Sequence, residues 1–390
     1  MNRSYHQRIE AVKRYNSGEK PKAICKALNK GKSWFFFWIN KYNPKDENWF
    51  KDQSKANKTV KNKTSKKTET LICNIRKKLS ETKYSQIGIL NIQWELKRLG
   101  LKKIPEPWTI NRIIKRNNLI KRTKLFESRN KLYPCIEAIS PNILHQFDLI
   151  GPRYLGEGLD NRFYAFNILD CLSNYYCTES YPGKSDEYVI DFILNAWSVM
   201  GVPIYLQVDN EMSFKGSNRY PRTFGKLIKL CLYFGVEIVF IPESEPWRQG
   251  VIENFNNTWD KMFFRKQVFK DFIHLRRESK VFEKFHNKNH RYSKTGGKTP
   301  EQAHKRSGVR ISPKLIKSLK RRIPFKNGKV SFIRLTNAKG EVRYFTEWFL
   351  VDKRLVHEYV KGTIFTKSNL LKFYYCNKLV KTVSYTTNKY

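Results

Sequence analysis

Between residues 4 and 42 apolar positions recur at helical spacing and predict three short helices. Ile9, Val12 and Tyr15 share one face, and Ser17-Gly18 stops the first helix. Pro21 opens a second helix carrying Ile24, Ala27 and Leu28. Asn29-Lys30-Gly31 then makes a tight turn, and Ser33 is placed to cap a third helix through Trp34, Trp38 and Ile39. Residues 44–67 are polar and non-periodic and read as a linker. The helical period returns with Leu71, Ile72 and Ile75, then with Ile89, Ile92, Leu96 and Leu99 before Gly100. After Pro105 and Pro107, Ile110, Ile113 and Ile114 oppose a polar side of Arg112, Lys115 and Arg116. Both three-helix units, 1–43 and 68–120, have the outline of a helix-turn-helix.

After a basic connector at 121–140 the pattern changes. HQFDLIG, FYAFNILD and YYCTESY are apolar-aromatic runs joined by short polar turns, which predicts a three-strand meander. An amphipathic helix spans Asp186 to Met200, and the strand IYLQVD starts after Pro203. A helix at Thr223–Phe234 and the strand VEIVFIP follow. The loop ESEPWRQG then leads into a helix from about Val251 to Phe269. That order predicts a mixed sheet with helices on its faces, over residues 141–305. From Lys329 six short runs of even spacing, with Gly328, Gly340 and Gly362 in turns, predict a small antiparallel β-barrel at 325–390. The fold class is multidomain α+β.

Charge narrows the function. The 390 residues include 76 Lys and Arg against 34 Asp and Glu, a formal +42. A chain so charged repels itself unless a polyanion neutralises it, which points to nucleic acid. An AT-rich genome would enrich Lys but would not remove acids. Cys25, Cys73, Cys135, Cys171, Cys177, Cys231 and Cys376 show no C-x-x-C pair or His cluster, which disfavours structural zinc and disulfides and fits a reducing cytosol. The first fifteen residues lack the apolar run of a secretory signal, and no stretch reaches the length of a membrane span.

Three acids carry the candidate chemistry. Asp148 lies in the first strand of the sheet, Asp209 ends the strand IYLQV, and Glu253 begins the helix after WRQG. Adjacent strands would set the first two side by side, with a helix end bringing the third. Carboxylate oxygens suit Mg²⁺ or Mn²⁺, and two ions can activate an attacking oxygen and stabilise the leaving one at phosphorus.

HQFDLIG, LQVDN and GVIENFNNTW resemble the three acidic blocks of DDE transposases and retroviral-type integrases, and most closely those of bacterial insertion-sequence transposases with an integrase core. The resemblance spans nearly the whole chain. It implies an RNase H-like catalytic core, Asp148, Asp209 and Glu253 as metal ligands for Mg²⁺ or Mn²⁺, and Asn210 as support. The 43 residues between Asp209 and Glu253 exceed the family's usual spacing, and a literal count would choose Glu245. Glu253 is preferred because it opens an apolar-periodic helix, while Pro246 follows Glu245 directly. Residues 215–223 read as the insertion that adds the length. Glu211 stands where the family commonly has Gly.

Glu253, Asn257 and Lys261 fall on one helical face, which marks Asn257 as supporting and Lys261 as a phosphate contact. Arg248 in the WRQG loop, Lys32, Ser33 and Trp34 of the first unit, and Arg112, Lys115 and Arg116 of the second complete the expected DNA contacts. His145, Asp170 and Asp186 read as structural. The expected partners are double-stranded DNA and further copies of the chain, with no membrane and no small-molecule substrate. The expected place is the bacterial cytoplasm, at the nucleoid. A non-catalytic DNA-binding repressor and an RNase H-like nuclease are the alternatives.

Overall fold

The computed structural model describes residues 3–52, 64–120, 132–156, 161–216, 222–304 and 311–388. The chain divides into two units, Met1–Thr64 and Ser65–Tyr390.

In the first unit, α1 (Arg3–Asn16), α2 (Pro21–Leu28) and α3 (Lys32–Lys41) enclose Ala11, Ile24, Leu28 and Phe35. Gly31, not Ser33, is the N-cap of α3, because the chain leaves the left-handed turn at Asn29 early enough for Lys32 to start the helix. The expected linker is shorter than its composition suggests. Phe50 is buried, the Arg8 guanidinium donates to its carbonyl at 2.7 Å, and Asp52 pairs with Arg8 at 3.1 Å. Residues up to Asp52 therefore finish this unit, and most of the rest of the linker lies outside the described residues.

The second unit opens with α4 (Lys66–Glu81), α5 (Ile89–Arg98) and α6 (Pro107–Arg116), closed over Ile72, Ile92, Leu96, Ile110 and Ile113. Ser65 caps α4, its side chain accepting from the Thr68 amide. This bundle is docked rather than independent. Tyr84, in the α4–α5 turn, is buried against Phe263, Phe282 and Phe285, and its carbonyl bonds the His290 ring at 2.8 Å. Lys83 pairs with Glu278 alongside it. Of the expected connector, residues 121–131 lie outside the described residues.

The core begins with β1 (Leu144–Tyr154), β2 (Arg162–Asp170) and β3 (Tyr176–Tyr181), the predicted antiparallel meander. Then come α7 (Asp186–Met200), β4 (Tyr205–Val208), a short α8 (Met212–Lys215), α9 (Lys226–Phe234) and β5 (Glu237–Phe240). A 3₁₀ turn at Pro246–Gln249 feeds α10 (Gly250–Met262). This helix ends sooner than its periodicity suggests, because Phe263 turns inward among Trp259, Phe269 and Phe282. Three further helices, α11 (Phe272–Asn289), α12 (Pro300–Ala303) and α13 (Pro313–Arg321), lie outside the predicted elements. Within the expected insertion, residues 217–221 lie outside the described residues. Its base is closed where Gly216, at φ +92°, and Gly225 approach so nearly that a Cβ on Gly216 would stand 2.7 Å from Gly225 backbone.

The C-terminal segment departs from expectation. Strands β6 (Lys329–Leu335), β9 (Tyr359–Phe365), β10 (Leu370–Tyr375) and β11 (Lys378–Ser384) do not form a barrel of their own. They extend the core into one nine-stranded sheet, ordered β11-β10-β9-β6-β5-β4-β1-β2-β3. The joint is parallel pairing of β5 with β6, Ile238 opposite Val330 and Phe240 opposite Phe332. Pairing with β6 satisfies a row of β5 backbone groups that would otherwise stand open at the edge of the core sheet. The remaining hairpin, β7 (Glu341–Tyr344) with β8 (Glu347–Leu350), lays Val342, Tyr344 and Phe349 onto the extension.

Helices α7, α9 and α13 pack one face of the sheet, and α10 and α11 pack the other. Eight of the fifteen residues of α7 are buried, at about 1.5–3 kcal/mol for each large apolar side chain. That outweighs the side-chain cap its N-terminus lacks. Among the described residues no helix is long and apolar enough to cross a membrane.

Candidate active site

The parallel register of β1 and β4 sets the geometry. Gln146 stands opposite Gln207, and their side chains bond across the strands at 2.7 Å, so both project from the same face. Asp148 and Asp209 each lie two residues further on, and the two-residue period of a strand returns them to that face. It is the face covered by α10. The Ile252 amide donates to Gln146 Oε1 at 2.9 Å, which fixes the first turn of α10, the turn that carries Glu253, against β1.

A chain of hydrogen bonds holds Asp148. Asn256 Nδ2 donates to its Oδ2 at 2.6 Å, and Asn167 Nδ2 donates to Asn256 Oδ1 at 2.9 Å. The Tyr176 and Thr178 hydroxyls both donate to Asn167 Oδ1, at 3.0 and 2.8 Å. Every donor is thus assigned a direction, and Asn256 presents its amide to the carboxylate. Asp209 accepts from the Glu211 amide at 3.0 Å. Asn210 stiffens the turn beside it by donating to the Ile241 carbonyl at 2.7 Å.

Burial pushes the Asp148 carboxyl up to about 7, and the negative charges of Asp209 and Glu253 push the same way. Burial also raises Asp209, which Lys184 and Lys215 partly offset, and it raises Glu253. The donors therefore fit a hard divalent cation in type, and in the uncompensated charge that such an ion would relieve. They do not yet converge on one point. Among the described residues no three acidic, His or Cys side chains stand close enough to share an ion.

The competitor Glu245 is occupied. Its carboxylate accepts from the Tyr359 hydroxyl at 2.7 and 2.8 Å and pairs with Arg248 at 3.0 Å. The same contacts change the picture of Arg248, expected at the DNA. Its guanidinium lies over the rings of Tyr133 and Tyr359, at 4.1 and 4.6 Å, tying the loop to β9.

Asn257, expected to support the site, is exposed and donates only to the Glu253 carbonyl of its own helix; the residue on Asp148 is its neighbour Asn256. The i, i+4, i+8 spacing marks an outer face of α10, whereas Asn256 lies on the side of the helix that meets β1. Lys261 is exposed on that outer face, while Asp260 is buried and pairs with the more exposed Arg153 and Arg265.

Lys32 and Ser33 on α3 are exposed and Trp34 is half-buried; Arg112 and Lys115 on α6 are exposed, with the Arg112 guanidinium 4.9 Å from the Trp108 ring. Arg116 is engaged within the bundle, its Nε 2.6 Å from Glu69 on α4. His145 is buried, 3.0 Å from Asn142, and burial holds it far below the usual histidine range, at about 3. Asp170 caps its own turn through the Ser173 amide and hydroxyl.

One residue near the site lay beyond sequence reasoning. Arg334, on β6, is 6 % exposed and donates to Asn210 Oδ1 at 2.6 Å and to the Ile241 carbonyl at 2.7 Å. Nothing local marks it, because its importance depends on the β5–β6 pairing.

No family model and no curated protein matches the chain. Among solved structures it is similar to retroviral integrase catalytic cores. The HTLV-2 integrase core in complex with magnesium is 18% identical over 43% of this chain and 100% of that one, with a TM-score of 0.33. The catalytic core of BIV integrase is 17% identical over 42% of this chain and 93% of that one, at a TM-score of 0.30. The simian T-cell lymphotropic virus intasome structure gives 13% identity over 57% and 73%, at 0.38. Likenesses so distant leave the reading to rest on the side chains themselves.

Proposed function

We propose that the chain is a metal-dependent DNA strand transferase of the DDE transposase and integrase type, acting on the ends of its own element. The carrying observation is the placement of Asp148 within β1 and of Asp209 just past the end of its parallel neighbour β4, with the Asp148 carboxyl lifted to about 7 partly by the charge of Asp209. Asp148, Asp209 and Glu253 would hold Mg²⁺ or Mn²⁺, which supplies charge stabilisation for in-line displacement at phosphorus. The protein's own contribution is orientation. Asn256 fixes the Asp148 oxygens, Gln146 fixes the start of α10, and Asn210 with Arg334 fixes the turn at Asp209. The same site serves water in cleavage and a DNA 3′-hydroxyl in joining, without a protein nucleophile.

The two three-helix units are read as helix-turn-helix modules for the element ends, with Lys32, Ser33, Trp34, Arg112 and Lys115 toward duplex DNA and Lys261 toward phosphate near the acids. Joining two ends to one target calls for more than one copy of the chain. A bacterial insertion sequence, working at the nucleoid, is the setting that accords with the sequence blocks.

The test is strand transfer with oligonucleotides carrying the DNA that flanks the gene. Asp148→Asn, Asp209→Asn and Glu253→Gln should each abolish cleavage and joining while end binding persists. Activity surviving Glu253→Gln but lost in Glu245→Gln would transfer the third ligand to Glu245. The separation of the three acids favours one rival, a DNA-binding repressor without catalysis. End binding with no product under either Mg²⁺ or Mn²⁺ would establish that rival.

A further inference from the structure

A cavity of about 640 Å³ opens between α7, α9 and the end of α13. Its rim carries Lys226, Lys229, Lys320, Arg321 and Arg322 against a single acid, Glu187. Asp191 takes up Lys320, Asp186 lies near Lys226, and Lys229 also has a partner within the protein, so the charge left over is that of Arg321 and Arg322. An excess remains. It continues along α13, where Lys314 and Lys317 are exposed. The floor is apolar, formed by Ile190, Leu319 and Phe325 among others.

The position matters as much as the charge. Leu319 and Ile190 belong to the core that includes Phe147 and Phe240, on the α7–α9 side of the sheet. Asp148 meets Asn256 of α10, on the opposite side. The sheet and a helix layer, roughly 10 Å for each packed layer, separate the two. A strand held at the carboxylates cannot also lie in this cavity.

We propose that this ridge holds the sugar–phosphate backbone of a second DNA segment, distinct from the strand at Asp148 and Asp209. The inference rests on the proposed function only in taking DNA as the partner. Lys314, Lys317 and Arg321 follow one another at three- and four-residue steps along one side of α13, a rise of roughly 4.5 to 6 Å each. That repeat suits a linear polyanion carrying a charge about every 3.4 Å of axis per strand. An acidic peptide seated in the cavity would leave Lys314 and Lys317, beyond the rim, unused. The apolar floor faces the carbon edge of deoxyribose.

The test measures binding of a random-sequence duplex to the full chain across a salt series, in an Asp148→Asn background so that catalysis is not required. Removing Lys317, Arg321 and Arg322 together as alanines should shrink the slope of log affinity against log salt by about 2 to 3. Thermal melting of the variant should match the parent, because all three side chains are exposed. An unchanged slope overturns the proposal, and so does weaker binding at an unchanged slope. Polyglutamate captured by the parent but not by the variant, with the DNA slope intact, would make the ridge an acidic-peptide site and overturn it as well. Failure of the proposed function would appear separately, as absence of strand transfer with the slope change still present.

Discussion

On the α7–α9 side of the sheet the interior is carbon. Phe147, Phe166, Phe192, Trp197, Phe214 and Leu206 pack there with little that needs a hydrogen bond. On the α10 and α11 side, polar groups occupy the same depth. Asn167, Thr178, Gln146, His286 and Asn287 are all buried, and each is matched to a named partner. The first face tolerates substitution by volume, since a hydrophobic side chain of similar size restores most of what is lost. The second specifies direction, because an unmatched buried donor or acceptor costs about 1–3 kcal/mol. One sheet thus separates the mass that stabilises the fold from the oriented groups that hold the acids.

The contrast can be broken in four ways. On the carbon face, Trp197→Ala should cost about 3–5 kcal/mol of stability in urea melts, with strand transfer per folded molecule unchanged. A large loss of activity at full folding would show that the faces are not separable. On the polar face, stability should depend on pH in chelator. The Asp148 carboxyl, raised to about 7, retains in the fold a proton that the unfolded chain releases near 4. Its contribution is full below about 4 and is lost as pH rises through 7, and Asp209 and Glu253 shift in the same direction. Melts at pH 5 and pH 8 should differ by about 2 kcal/mol from Asp148, discounted because solvent reaches part of the side chain. Asp148→Asn should flatten that difference, and Mg²⁺ at pH 8 should restore stability to the parent alone.

A smaller effect is expected at Asn256. Asn256→Ala should lower strand transfer by about 10- to 100-fold, mostly as a higher requirement for Mg²⁺, while Asn257→Ala leaves it near the parent value. Equal effects would mean that the bond to Asp148 is not what matters. The smallest lies at the docked bundle, where Glu69→Ala releases an exposed pair with Arg116 and should cost less than about 1 kcal/mol. A gain in duplex binding from freed Arg116 would return that residue to the DNA contacts.

Elements whose side chains repeat locally were legible in the sequence. The six N-terminal helices, the meander, α7, β4 and β5 follow from apolar spacing, and Asp148 and Asp209 followed from their strands. What was not legible depends on contacts far apart in the chain. The β5–β6 pairing draws the expected barrel into the core sheet, and Arg334 reaches Asn210 only because of it. Tyr84 carries no local signal in its turn, yet it docks a helical bundle on α11. Helical spacing alone marks Asn257 as supporting, but Asn256 bonds Asp148, since periodicity identifies faces and not which face a distant strand will meet. Glu253 over Glu245 was argued from helix context, and the pairing of Glu245 with Arg248 and Tyr359 supplies a second reason.

The contact of Arg334 with the Asp209–Asn210 turn also orders events in time. Asp209 and Asn210 are synthesised well before β6 and β9, so a chain still emerging from the ribosome lacks the side chain that steadies this turn. The turn that carries Asp209 therefore takes its final form only after the chain has been made past residue 334.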